Sequence, residues 1–245
     1  MGRTHVTQAV AVWATSCVAA AVTHHPAPLP VVLAGAATIA GAALLPDCDH
    51  REATLARLAG PVTAYACGGV ADLSIWAHRA TRTRYDRPTS DGHRGLTHTI
   101  LAALTAGAAA TLIGWLIPYG SAALITILAA AAVQAMAPAR VRRWRRHRYA
   151  WAAGILAGIA AALTHVGGWW LGPIVTAGWL THLAGDACSV QGVPLWWPAR
   201  IRGQRWRMVG LWQPLRIHTG SPIEHIHAVA PVAVAAVSVA WALWR

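Results

Sequence analysis

Lysine, asparagine and phenylalanine are absent from this sequence, and charge is scarce. Only 11% of the residues are charged, less than half the ~25% of a soluble globular domain. That is too little polar surface to cover a water-exposed body of 245 residues. Disorder is excluded, and a free soluble enzyme is disfavoured. All 20 basic residues are arginine; with abundant Ala, Gly, Pro and Trp, this is the bias of a GC-rich coding sequence and carries no functional information. Cysteine is sparse too. Cys17, Cys48, Cys67 and Cys188 are scattered without a Cys-x-x-Cys pair, which excludes a disulfide framework and a thiolate zinc site. Cys17 and Cys67 read as small buried residues, while Cys48 and Cys188 sit inside polar motifs and stay open. Carboxylates number eight, against 13 histidines. That excess matters, because histidine is costly in lipid unless paired or ligating.

What is present is apolar: 56% hydrophobic residues and a mean hydropathy of +0.43. Apolar segments lie at 6–22, 31–45, 59–77, 96–117, 119–137, 149–165, 168–185 and 225–244. Several fall short of the ~20 residues that cross a hydrocarbon core. Their Ala- and Gly-rich faces suit close helix packing. Pro118-Tyr119-Gly120 and Val166-Gly167-Gly168 mark tight turns. The first run follows a single arginine without a small-residue cleavage site and is read as a retained helix. No internal repeat is visible, and residues 1–245 form one domain.

If all eight segments crossed, the polar motifs at 47–50 and 93–98 would face opposite sides. If 59–77, which carries Gly68-Gly69 and Asp72, is instead a re-entrant or buried helix, seven spans remain and every arginine except Arg245 lies on one side. The positive-inside rule makes that side cytoplasmic. The expected fold is therefore an all-α, polytopic membrane bundle of about seven spans plus one non-spanning helix. Its N-terminus is inside and its C-terminus outside, in the plasma or inner membrane. The arginine-rich run 140–148 reads as an anchor on anionic headgroups rather than as a nucleic-acid patch, and no specific nucleic acid is expected. The 14 tryptophans are mostly interfacial.

Against this apolar background the polar residues cluster. Asp47-Cys48-Asp49-His50 follows Pro46 at the end of the second segment, three ligand types within one turn of loop. Carboxylate oxygen with imidazole nitrogen suits zinc or manganese. Next, Asp91-Gly92-His93-Arg94-Gly95-Leu96-Thr97-His98 leads into the fourth segment, its glycines permitting a tight entry turn. Residues five apart on a helix point about 140° apart, so His93 must belong to the loop if it and His98 are to face one centre. His182 and Asp186, four apart, share a helical face at the end of an apolar segment, where an unpaired Asp would be costly. Ligation, or an Asp orienting a ligating His, is one reading of that pair; a plain His–Asp hydrogen bond is the other. His5 precedes the first segment on the same side. His24, His25, His78, His147 and His165 lie opposite or lack a carboxylate companion.

With these motifs, and with Thr219-Gly220-Ser221-Pro222-Ile223-Glu224, the chain resembles the YdjM-like membrane-bound metal-dependent hydrolases over nearly its whole length. Cys48, where an aliphatic residue is usual, and the basic 140–148 run depart from the pattern. The resemblance implies a helical membrane hydrolase, with a fainter likeness to zinc phospholipase C enzymes through His182-x-x-x-Asp186.

The expected activity is metal-dependent hydrolysis at the cytoplasmic membrane face. Two or three divalent ions, zinc foremost and manganese next, would be held by His5, Asp47, Asp49, His50, His93, His98, His182 and Asp186. Asp47 or Asp49 is the expected bridging ligand or base, Arg94 a phosphate contact or a headgroup contact, and Glu224 a further ligand or acid/base. A formal charge of +12 would draw anionic lipid, which favours a phospholipid or lipid-linked phosphoester as substrate. The competing class is a non-catalytic metal or ion carrier with the same ligands. A phosphohistidine phosphatase is disfavoured because no Ser-Gly-His occurs. Oligomeric state is left open.

Overall fold

A computed structural model describes residues 2–89, 92–138, 140–212, 216–218 and 237. Among these residues there are seven α-helices: α1 Gly2–Val22, α2 Leu29–Ala42, α3 Pro61–Thr81, α4 Ile100–Leu116, α5 Gly120–Met136, α6 Arg143–Leu163 and α7 Leu171–Ala187. Three short 3-10 turns lie between them, Pro46–Asp49, Leu55–Arg57 and Leu96–His98. No strand forms among the described residues, and bridges such as Val193 with Val209 are isolated. The segment expected at 225–244 lies outside the described residues, apart from Val237.

Local chemistry sets the helix ends. Pro30 stands near the start of α2 and Pro61 opens α3, where proline's missing N–H has no helical partner to lose. The Thr99 hydroxyl accepts the Ala102 N–H at 3.1 Å and caps α4. Pro46, expected at the end of the second apolar segment, opens the 3-10 turn beyond a helix that ends at Ala42. His98 closes the turn ahead of α4.

α2 is central, packing on α1, α5, α6 and α7, while α5 pairs with α6 and α4 with α7. The contacts are made by small residues. A side chain added at Gly41 would strike the Leu128 backbone, and one at Gly178 would strike the carbonyl of Ile39. Ala129 to Ala132 on α5 and Ala103 and Ala110 on α4 are buried. Many large apolar side chains point outward: Leu33, Leu104, Leu112, Leu116, Leu156 and Leu163 are all exposed, although Ile125, Leu128, Leu171 and Leu183 pack inside. A water-soluble bundle seldom exposes so many large apolar side chains. α1, and α2 with the turn that follows it, are long and apolar enough to cross a membrane; α4 and α5 are apolar but shorter.

α3 stands apart. It packs on the three 3-10 turns rather than among the other helices, with Cys67, Ala71, Ser74 and His78 buried. Its outer face shows Val62, Tyr65, Leu73 and Trp76 to the surroundings. Helix ends converge beside it. The Arg3 guanidinium donates to the carbonyls of Ala135 (3.3 Å) and Ala137 (2.6 Å), joining the start of α1 to the end of α5. Trp151 of α6 donates to the Leu58 carbonyl at 3.0 Å, and Trp179 of α7 donates to the Thr97 carbonyl at 2.7 Å. The polar segments thereby meet at one end of the bundle.

Candidate metal centre

At that end, four elements bring imidazole and carboxylate groups together. α1 supplies His5, the Pro46–Asp49 turn supplies Asp47 and Asp49, the Leu96–His98 turn supplies His98, and the last turns of α7 supply His182 and Asp186. The 92–96 loop is pinned from α3: the Ser74 hydroxyl donates to the Gly92 carbonyl at 2.9 Å and accepts the Leu96 N–H at 2.8 Å. Gly92 has φ +73°, a conformation glycine adopts without strain. At Gly95 any Cβ would collide with the Ser74 hydroxyl.

The core of the cluster is a set of four atoms. His182 Nε2 lies 3.5 Å from Asp47 Oδ1 and 3.6 Å from Asp186 Oδ2; His98 Nε2 lies 3.9 Å and 3.4 Å from the same two oxygens. Tetrahedral ligands with ~2 Å bonds to a common ion sit about 3.3 Å apart, so these spacings fit one cation with modest adjustment. The tautomers fit as well. His182 Nδ1 donates to the Ala43 carbonyl at 2.7 Å, which leaves its Nε2 with a lone pair. His98 Nδ1 faces Asp49 Oδ2 at 3.3 Å, which leaves its Nε2 equally available. Both Nε2 atoms are fully buried without a hydrogen-bond partner. Orphaned buried polar atoms cost about 1–3 kcal/mol each, and two aimed at the same carboxylates are what a cation between them would relieve.

His5, His182 and Asp186 form a second group, with Asp47, His98 and His182 the first; in each group the ligand atoms lie within 4.8 Å of one another. His5 stacks on His182 with ring centroids 3.9 Å apart, and its Nε2 is 3.5 Å from Asp186 Oδ1. The two groups share His182, whose other nitrogen is spent on Ala43. One remaining lone pair serves one ion, so the groups describe a single connected centre rather than two independent ones.

The other residues singled out from the sequence surround this core. Asp49 is buried and accepts from His93 Nδ1 at 3.0 Å and from the Thr97 hydroxyl at 2.5 Å, while also facing His98. That is the arrangement of a carboxylate that orients ligating histidines, and Asp49 belongs to neither group. His93 stays in the loop, its ring 5.4 Å from that of His98. His50 is exposed, accepts the Glu52 N–H at 3.2 Å and sits 5.0 Å ring to ring from His93, at the margin. Arg94 is buried and turned inward: its guanidinium lies 3.1 Å from Asp186 Oδ1 and donates to the Ser189 hydroxyl at 2.5 Å and the Gly192 carbonyl at 3.3 Å. Glu224 and the 219–224 motif lie outside the described residues, as does Asp91. Cys48 packs against the apolar core and Cys188 donates to the Ala184 carbonyl, so neither thiol faces the cluster. Sequence reasoning missed Thr97 and Ser189, which hold Asp49 and Arg94; a hydroxyl beside a ligand motif was the one available signal. It also set aside His78, which is buried against Trp206, ring centroids 5.1 Å apart.

An apolar helical bundle with many large apolar side chains on its outer surface and a buried His/Asp cluster at its polar end has the character of an integral membrane protein with a candidate metal centre. The chain matches the family described as YdjM inner membrane protein over residues 1–245, and it belongs to that family. No curated protein and no solved structure matches it.

Proposed function

We propose that the chain is a metal-dependent hydrolase that cleaves a phosphoester of a lipid or lipid-linked substrate at the cytoplasmic face of the membrane. The observation that carries this reading is the meeting of Asp47, His98, His182 and Asp186, with two buried imidazole nitrogens left without partners. These residues, flanked by His5, would hold a divalent cation, and mixed imidazole and carboxylate donors suit zinc or manganese. When bound, such a cation supplies Lewis-acid charge and acidifies water enough for hydrolysis at neutral pH. The chain's own part is preorganisation. Asp49 and the Ala43 carbonyl fix the two imidazoles, and Arg94 with its partners Ser189 and Gly192 fixes Asp186. Asp47 is the only one of the four core ligands that is not buried, which makes it the carboxylate nearest to incoming substrate and water.

The topology proposed with it has seven crossings, α1, α2, α4, α5, α6, α7 and 225–244, with α3 lying at the cytoplasmic end. Supporting it are the outward-facing leucines of the bundle, the packing of α3 on the turns, and arginines gathered at the end that carries the cluster. A carrier would keep its ligands near the mid-plane between broken helices; here they gather at helix ends, which favours surface chemistry.

The test is metal content and turnover on full-length protein in detergent. Wild type is expected to retain divalent metal and to hydrolyse a short-chain phospholipid, with the activity lost to a chelator. His182→Ala is expected to lose the metal and, with it, orders of magnitude in rate. Turnover that survives complete metal removal would refute the mechanism, and metal flux without turnover would make the protein a carrier.

A further inference from the structure

Next to the cluster, on the side of His93 and Arg94, lies a cavity of about 680 Å³, within the ~300–1,000 Å³ typical of small-molecule sites. Arg87, Arg94, Arg207 and Arg216 line it, together with His78 and Gln204, and no carboxylate does so among the described residues. His93 and Arg94 also touch the cluster, through Asp49 and Asp186. Cavity and centre therefore share a wall.

That wall is built by specific bonds. The Thr83 hydroxyl donates to the Gly203 carbonyl at 2.8 Å, and Gln204 Nε2 donates to the Tyr85 carbonyl at 2.7 Å. The indoles of Trp197 and Trp206 both donate to the Thr81 hydroxyl, at 3.1 and 3.0 Å. Asp86 accepts the backbone N–H groups of Arg205 and Trp206. Segments 83–87 and 203–207 are thus locked side by side, which places Arg87 and Arg207 around the same space. The Arg216 guanidinium is steered by the carbonyls of Leu211 (2.7 Å) and Val190 (3.2 Å). Arg94 is already committed to Asp186, whereas the guanidinium groups of Arg87 and Arg207 bond to no protein acceptor among the described residues. Like charges crowded around one cavity repel, and an anion between them turns that repulsion into attraction.

We propose that this cavity binds a phosphate group, held by Arg87, Arg207 and Arg216 and distinct from the ester bond at the metal centre. The planar fork of arginine matches phosphate oxygens two at a time, and the shared wall sets the bound group beside the cluster. Resting on the hydrolase reading, the substrate class narrows to phosphoesters whose headgroup carries a phosphate beyond the bond that is cut. Arg94, the phosphate contact expected from the sequence, serves the centre instead, and the more distant arginines take that role.

The experiment is calorimetric titration of the full-length protein in detergent, stripped of metal by a chelator. Inorganic phosphate is the probe in one arm and short-chain phosphatidic acid in the other. R87Q/R207Q is expected to weaken binding by at least about tenfold, the loss of two charge-assisted contacts. R87K/R207K, which keeps the charge, should bind with intermediate affinity, and His182→Ala should stay within about twofold of wild type because it lies outside the cavity. Binding of phosphatidic acid, with or without the free ion, assigns the cavity to a lipid headgroup; binding of inorganic phosphate alone assigns it to a soluble phosphate compound. No binding in either arm, or binding lost in His182→Ala and kept in R87Q/R207Q, overturns the proposal. Arginine-dependent binding by a protein that hydrolyses no ester would keep the cavity and remove the hydrolase reading, so the two fail separately.

Discussion

One buried carboxylate holds the loops beside the centre. Asp86 accepts the N–H groups of Thr83 at 2.7 Å, Trp206 at 3.0 Å and Arg205 at 3.3 Å, joining stretches about 120 residues apart. Burial pushes its carboxyl up, but these N–H groups outweigh burial and hold it below the usual carboxylate range. A pKa lowered by folding stabilises the fold fully above the unfolded carboxylate value, near pH 4, and that contribution is lost as pH falls through the lower folded value. Asp86→Ala is expected to lower stability by on the order of 2–3 kcal/mol, since it strands buried donors. Thermal unfolding in detergent at pH 7 and at pH 3 checks this: the gap between wild type and variant should shrink at the lower pH. Asp49 makes a related point about legibility. Its motif marks it as a ligand or base, and the sequence shows it to be near histidines; that it faces the Nδ1 side of both His93 and His98 follows only from where two loops meet.

At the scale of the helix, small residues set the spacing. α2 can sit at the centre because Gly41 lets it approach the Leu128 backbone of α5. Gly41→Ala forces these two helices apart, and because the obstacle is backbone, relief requires a helix shift of the kind that costs about 1–3 kcal/mol. The shift would also move the Pro46–Asp49 turn just beyond α2, so metal retention should fall with stability. Gly68 of α3 is the control, since an added Cβ meets nothing within 4 Å. Gly68→Ala should be neutral or stabilising by up to about 1 kcal/mol through helix propensity. Equal losses in both variants, measured by thermal unfolding in the same detergent, would remove the packing argument. The apolar period of α3 looks much like that of a span; what sets it apart in the fold is that its buried face packs on 3-10 turns and its aromatic residues Tyr65 and Trp76 stay exposed, as interfacial residues do.

For the whole molecule, arginine placement and the convergence of the motifs lead to the same arrangement. In a cysteine-free background, single cysteines at Glu52 and Arg84 are expected to react with an impermeant reagent from the cytoplasmic side only, and one at Ala27 from the opposite side only. Residues 52 and 84 reacting from different sides would mean that α3 crosses, and would overturn the proposed seven-span topology.

The amino-acid sequence by itself determined the helical class, most helix positions and the His- and Asp-bearing motifs. These follow from composition, apolar run length and short-range spacing, none of which needs a partner segment. Only the tertiary structure decided which motif atoms face one another. His182 and Asp47 are far apart in the chain yet 3.5 Å apart in the fold, a distance set by helix packing through Gly41 and Gly178. The arginine-lined cavity was hidden for the same reason: Arg87, Arg207 and Arg216 belong to no local pattern. Arg87 and Arg207 meet because Asp86 and Thr81 tie together segments that the sequence keeps separate, and Arg216 joins them through the carbonyls of Leu211 and Val190.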